Sequence, residues 1–372
     1  MRSRRTPDPE VELPDMITRR RFLQRGSLAG AVLLGGGATI LNACGGDDDD
    51  TSSGGGGGDS EFGELSVQLS WIKNIEFAGL YVADSKGYFT DAGFSSLSMI
   101  PGPGDAIAPL VAGDVLYSFG GSETVANAVL NNDAPLKIIG ANFQKNPFCI
   151  LYLADDPIPD PAALKGKTIG VQQANEQIWQ ALLRANGLEE GDGPDKVKKV
   201  PVDFEPTPLE NGEVQGFFSF ITNEPNILRT KGLSVGTLNL SDVGITLYQQ
   251  LYTVTEESLE TRRDELVAAL KAESKGWQHA IADNQLAIDL TLEDYGSDLG
   301  LDPASQELEI TSQIELQTSA ATDANGLFYM GDEDLENNLR VLSDLGLEVS
   351  ADLYTNEILD EVYADGITLY TP

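Results

Sequence analysis

From Leu65 to Ser70, apolar Leu65, Val67 and Leu69 alternate with polar Ser66, Gln68 and Ser70, the two-residue period of a strand with one face buried. Phe77, Leu80, Tyr81 and Ala83 then recur at helical spacing, so a packed helix is expected to follow at once. The loop between the two elements carries Trp71, Asn74 and Glu76. In open α/β sheets ligands bind beyond the carboxyl ends of strands, where helix N-termini offer unpaired backbone donors. Here that place holds an aromatic plane and two polar groups. Trp71 reads either as a plain core tryptophan or as a ligand-facing ring, and its polar loop favours the second.

The alternation of strand and helix patterns continues along the chain. A strand is expected over residues 96–100, then the turn Pro101-Gly102-Pro103-Gly104 and a helix capped by Asp105 that runs to Gly113. Residues 115–119 read as a short buried strand ending in Gly120-Gly121-Ser122-Glu123-Thr124, ahead of a helix over 125–131. Ser122 can either cap that helix or meet a ligand. A strand beginning at 138–141 leads into Asn142-Phe143-Gln144-Lys145-Asn146-Pro147, and residues 148–153 are apolar. Residues 168–171 read as a strand and 174–186 as a helix, with Gln172, Gln173 and Asn175 between them as candidate polar contacts. Further strands are expected over 201–204 and 215–220, the second leading into Ile221-Thr222-Asn223-Glu224-Pro225, and residues 248–254 alternate as a strand. Residues 259–282, 285–295, 335–345 and 356–363 carry helical spacing.

Composition narrows the partners. A chain of 372 residues with 41% apolar side chains can bury two substantial cores. Its formal charge of -35 excludes nucleic acid, because a phosphate backbone is held by lysine and arginine patches. Such a surface stays soluble by self-repulsion; it is read as a solvated acidic shell, with a high-salt habitat or attraction of cationic solutes as alternatives. With two cysteines, one of them claimed by the leader, no internal disulfide is expected, and Cys149 in an apolar run reads as a small buried hydrophobe.

The leader has its own signature. Thr18-Arg19-Arg20-Arg21-Phe22-Leu23-Gln24 precedes an uncharged run from Ser27 to Ala43, the basic and apolar regions of an export signal, and it resembles a twin-arginine signal. The apolar run is too short and glycine-rich for a membrane span, which needs about 20 apolar residues. Leu41-Asn42-Ala43-Cys44 resembles a lipoprotein cleavage box, so residues 1–43 are expected to be removed and Cys44 lipidated. Residues 44–63, acidic and rich in glycine and serine, have the composition of a flexible tether.

Trp71 and Asn74 are followed by Gly79-Leu80-Tyr81-Val82-Ala83, Gly87-Tyr88-Phe89 and Gly93, and later by Leu164-Lys165-Gly166-Lys167-Thr168-Ile169-Gly170-Val171. On these motifs residues 65–330 resemble the type II periplasmic substrate-binding proteins, specifically the group of thiamine-pyrimidine synthase and its thiamine-precursor-binding transport counterparts. The resemblance implies an α/β fold of two lobes joined by a two-strand hinge, with the ligand cleft between them. The first lobe would span 64–154 and return as a helical part over 247–372, and the second would span 155–246. The family places its ligand beside the crossing, which adds Phe143, Gln144 and Asn146 to Trp71, Asn74, Glu76, Ser122, Glu123, Gln172 and Asn175. Thr222, Asn223 and Glu224 would form the second-lobe wall, and Tyr81 and Tyr248 complete the expected set. The family usually has glutamine where this chain has Glu224, and a carboxylate there favours a protonated aminopyrimidine or another cation.

The resemblance further implies a solute-binding lipoprotein on the outer face of the cell membrane, expected to be monomeric, that hands a small heteroaromatic solute to an ABC permease and its ATPase. A thiamine pyrimidine precursor is the first choice of ligand. The alternatives are a sulfonate, nitrate or another small organic solute, or an enzyme of pyrimidine or menaquinone biosynthesis on the same fold. The export leader speaks against the enzyme. No catalytic residue, cofactor or metal is assigned: His279 is the one histidine, so neither a histidine triad nor a histidine metal cluster has its partners. The fungal pyrimidine synthases of the superfamily use an active-site histidine and a cysteine-rich metal motif; His279 lies within a helical run away from the ligand loops, and no cysteine-rich motif is present. Gly102-x-Gly104 lacks the third glycine of a dinucleotide fingerprint, and Leu164 to Thr168 lacks phosphate-loop spacing.

Overall fold

The computed structural model describes residues 60–372, so the export signal, Cys44 and most of the tether lie outside the described residues. Two five-stranded mixed sheets, each flanked by helices, make an α/β architecture. The first sheet runs in the order β2-β1-β3-β10-β4, built from β1 (Gly63–Gln68), β2 (Phe94–Ile100), β3 (Tyr117–Gly120), β4 (Leu136–Phe143) and β10 (Gln249–Thr255). The second runs β7-β6-β8-β5-β9, from β5 (Phe148–Leu153), β6 (Thr168–Val171), β7 (Lys198–Pro201), β8 (Gly216–Phe220) and β9 (Val235–Asn239).

The two sheets repeat one plan. In each, three parallel strands are followed by an antiparallel strand that arrives from the other half of the chain: β10 between β3 and β4, and β5 between β8 and β9. The chain therefore crosses between the sheets twice, at residues 144–147 and 240–248. Strands covered on both faces read as continuous apolar runs. That is the character of Phe-Cys-Ile-Leu in β5, where Cys149 is a fully buried free thiol, and of Gly-Phe-Phe in β8.

Each sheet has its own core. Leu65, Val67, Phe119, Ile139 and Tyr252 of the first pack against the helices Ala78–Ser85, Arg263–Ala282 and Glu357–Val362. Ile150, Ile169 and Phe218 of the second pack against Trp179 and Leu182 of the helix Glu176–Ala185. Val341 and Leu342, on the helix Asp332–Asp344, join that second core although Asn338 of the same helix accepts from Ser122 Oγ and from the Tyr248 N–H. A large aromatic or aliphatic side chain buried in this way contributes about 1.5–3 kcal/mol.

Most expected elements are present near their expected limits. Asp105 Oδ1 accepts from the N–H groups of Ile107 and Ala108 at the start of the helix ending at Gly113. Three differences have physical causes. The strand expected at 201–204 lies at Lys198–Pro201, an edge strand with little burial and so little apolar pattern to fix its register. The helix Pro303–Gln317 had no assigned counterpart, because its buried face is mostly Gln and Glu. Phe62, expected in the tether, donates its N–H to the Gly93 carbonyl and packs its ring 5.3 Å from that of Phe94.

Candidate functional site

A cavity of about 230 Å³ opens between the two sheets, at the carboxyl ends of their parallel strands. Loops from both sheets line it. Ser70, Trp71 and Glu76 follow β1, Gly120 ends β3 with Gly121, Glu123 and Thr124 after it, and Gln249 and Gln250 open β10. From the second sheet come Ala174 and Asn175 after β6, Phe204 after β7, and Phe220, Asn223 and Glu224 at the end of β8.

The loop after β1 is built to hold Trp71 still. The Trp71 carbonyl accepts from the Gly102 N–H at 2.9 Å, and a Cβ on Gly102 would sit 2.6 Å from the Ser70 backbone. Only glycine permits that approach. Across the cavity the edge of Phe204 meets the Trp71 ring at 4.8 Å between centroids, inclined at 68°, a favoured aromatic geometry. Phe143, Phe148 and Phe220 add apolar surface, with the Phe148 and Phe220 rings 4.5 Å apart.

Every ionisable side chain lining the cavity is a glutamate. Glu224 opens the helix Glu224–Thr230, is 4% exposed, and accepts from the Phe220 N–H at 2.9 Å. Burial is the main reason its carboxyl is pushed up to about 8, with repulsion from Glu205 and Glu76 adding to it. Glu76 is pushed up to about 7 by burial, partly offset by Gln250, whose Nε2 donates to Oε1 at 2.6 Å. Glu123 is also raised by burial and accepts from Gln249 Nε2 at 2.9 Å. The cavity thus presents three desolvated carboxyl groups and no lysine or arginine. Such walls favour a solute that brings N–H donors or positive charge.

Of the residues singled out from sequence, Trp71, Glu76, Glu123, Phe143, Asn175, Asn223 and Glu224 line the cavity together. The others face elsewhere. Asn74 caps the turn over Ile75–Phe77 and donates to Glu309 Oε1 at 2.7 Å. Tyr81 donates to the Asn74 carbonyl and stacks 4.4 Å from Tyr295. Ser122 donates to the Tyr248 carbonyl and to Asn338 Oδ1, and the Tyr248 hydroxyl donates to the Gly331 carbonyl at 3.4 Å. Gln144 donates to the Ala141 carbonyl and Asn146 to that of Ile245, so both fasten the crossing segments. Gln172 holds Asn175 in place through its Oε1. Thr222 Oγ1 is buried without a protein partner.

Sequence reading missed Phe204, Phe220, Gln249 and Gln250. The adjacent amides of Gln249 and Gln250, at the start of a buried strand, are a legible signal. Phe204 was assigned to a strand, whereas it lies in the loop beyond β7. His279 is outside the cavity, its Nδ1 3.0 Å from the Tyr88 hydroxyl and its ring stacked on Tyr370. Among the described residues no group of three or more His, Cys, Asp or Glu side chains is placed to hold a metal ion, and no helix is long and apolar enough to cross a membrane.

Comparison with known proteins places the chain in a family. The chain is 25% identical over 291 residues to the formylaminopyrimidine-binding protein of Halalkalibacterium halodurans, covering 77% of this chain and 85% of that one. It is 26% identical over 238 residues to the riboflavin-binding protein RibY of Chloroflexus aurantiacus, covering 62% of this chain and 66% of the other. The fold superposes on the periplasmic aliphatic sulphonate-binding protein SsuA of Escherichia coli with a TM-score of 0.57 at 15% identity, over 78% of this chain and 94% of that chain. The α/β architecture is therefore that of the type II periplasmic binding proteins. The NMT1/THI5-like pattern matches residues 74–287, more than half of the sequence, and the chain belongs to the NMT1/THI5-like family.

Proposed function

We propose that this protein is the extracytoplasmic solute-binding component of an ABC importer and that it captures an aminopyrimidine of the kind from which thiamine is built. The observation that carries this reading is the charge of the cavity: aromatic surface and three desolvated glutamates, with no cation to receive an anionic solute. A formylaminopyrimidine offers a flat ring to Trp71 and amino N–H groups to Glu76 and Glu224. The named relative that binds such a compound supports the choice. So does the cavity's size, about 230 Å³ against the roughly 300–1,000 Å³ of drug-sized sites, which suits one ring with short substituents better than a flavin.

Capture proceeds by closure. The two crossings at 144–147 and 240–248 act as the hinge, and the lobes bring Trp71 and Glu224 onto one ligand from opposite sides. The closed form is what the permease and its ATPase recognise, and the lipid on Cys44, motivated by the cleavage box and the tether behind it, keeps the monomer at the membrane. Sulfonate and nitrate are disfavoured because bringing an anion among buried carboxylates repels and desolvates it. An enzymatic role is disfavoured because the named relatives, matched over 77% and 62% of this chain, are binding proteins.

Titration calorimetry with formylaminopyrimidine, riboflavin, an aliphatic sulfonate and nitrate tests the reading. Binding of the pyrimidine alone, in the micromolar range or tighter, is expected. Preferential binding of sulfonate or nitrate would refute it.

A further inference from the structure

One face of the helix Pro303–Gln317 is a buried polar stripe of Gln306, Glu309, Gln313 and Gln317, none more than 4% exposed. The stripe grips the loop that carries Glu76. Gln306 Oε1 accepts from the Ile75 N–H at 2.9 Å, and Gln313 Nε2 donates to the Glu76 carbonyl at 2.9 Å. Glu309 accepts from Asn74 Nδ2 at 2.7 Å and from Gln306 Nε2 at 2.9 Å. The last member, Gln317, starts a chain of side-chain amides that ends at the cavity. Its Nε2 donates to Asn142 Oδ1 at 2.7 Å, Asn142 Nδ2 donates to Gln250 Oε1, and Gln250 Nε2 donates to Glu76 Oε1 at 2.6 Å.

All three donors point the same way. Asn142 and Gln250 each accept from behind through the oxygen and donate ahead through the nitrogen, and the chain begins at Gln317, whose own Oε1 is a buried acceptor with no partner. An unpartnered buried acceptor and a non-glycine residue at positive φ, here Gln250 at 53°, both cost free energy. Their coincidence in one polarised chain is explained if its direction matters. Hydrogen bonds in series also polarise one another. Asn142 and Gln317 do not line the cavity, so they act only through Gln250 and Glu76.

We propose that this relay, anchored on the helix Pro303–Gln317, fixes Glu76 as a hydrogen-bond acceptor toward the cavity and so selects solutes that present an N–H to that wall. Asn142 and Gln317 are positioning residues for specificity. The inference rests on the aminopyrimidine reading of the site and adds the mechanism by which a donor is demanded there.

Asn142→Asp tests it. The new carboxylate can only accept, so it draws the amide nitrogen of Gln250 and leaves Gln250 Oε1 facing Glu76. Glu76 must then carry a proton and spend it on Gln250, leaving the cavity a neutral carbonyl, a weaker acceptor. The probes are formylaminopyrimidine and its analogue with the ring amino group dimethylated, measured by calorimetry. The wild type is expected to prefer the first by about tenfold to a hundredfold, the scale of one hydrogen bond to a charged group. In Asn142→Asp that ratio should fall toward one, and in Gln317→Met, a near-isosteric change, it should fall part of the way. A merely structural role would weaken both probes alike and leave the ratio unchanged. An unchanged ratio in whichever of the two variants folds overturns the relay alone, whereas a wild type that binds neither probe overturns the aminopyrimidine reading and the relay with it.

Discussion

Glu76 and Glu224 are carboxylates from which water has been largely removed, and each is held far above its ordinary range, at about 7 and about 8. Glu273, which accepts from the hydroxyls of Tyr117 and Tyr252 in the core of the first sheet, is likewise raised to about 7 by burial. In the unfolded chain such groups titrate at about 4.3. Between that value and 7 or 8 the folded protein binds more protons than the unfolded one, so stability decreases as pH rises. The contribution is fully present below the unfolded value and is lost as pH climbs through the folded values. The ligand-free Tm is therefore expected to fall from pH 5 to pH 8.5, and Glu224→Gln should flatten part of that fall. Glu176, lowered through Lys199 despite its burial, works in the opposite direction but on the acid side of this window. A wild-type Tm that rises from pH 5 to pH 8.5 would contradict the assignment of these groups.

At the scale of elements, the helices Ala78–Ser85 and Arg263–Ala282 pack in the core of the first sheet, and they touch through two glycines. A Cβ on Gly276 would lie 2.2 Å from the Gly79 carbonyl oxygen, and one on Gly79 would lie 2.1 Å from the Trp277 ring. Helix propensity alone would make Gly276→Ala stabilising by about 1 kcal/mol. The contact forbids it, and overpacking of this kind typically costs about 1–3 kcal/mol. Chemical unfolding of Gly276→Ala should show that loss, and a gain in stability would mean that the helices are not in this contact. The glycine in Gly79-Leu80-Tyr81 was visible in the sequence, but its partner 197 positions away in the numbering of Gly276 was not. That pattern holds for the site as well. Trp71, Glu123, Asn223 and Glu224 were legible because each follows a strand end, a local signal that needs no tertiary knowledge. The helix Pro303–Gln317 was not, because hydrophobic periodicity cannot see a face whose buried side chains are Gln306, Glu309, Gln313 and Gln317. Asn74, Tyr81 and Ser122 carry the residue types of a binding site, yet in the fold their polar groups are taken by Glu309, the Asn74 carbonyl and Asn338.

For the whole molecule, the arrangement that matters is one cavity with a wall from each sheet and two crossings behind it. Trp71 stands on the first wall, and Glu224 with Phe204 on the second. Both walls are expected to meet one donor-bearing ring. The measurement that tests it most directly is the calorimetric affinity of formylaminopyrimidine for the wild type, Trp71→Ala and Glu224→Gln, side by side at pH 9, where Glu224, pushed up to about 8 by burial, is ionised. Loss of the stacking face removes on the order of 1–3 kcal/mol, so Trp71→Ala should bind about ten- to a hundredfold more weakly. Glu224→Gln should bind about tenfold more weakly through the lost charge-assisted bond. Full affinity retained in both variants would place the binding site outside this cavity and contradict the account.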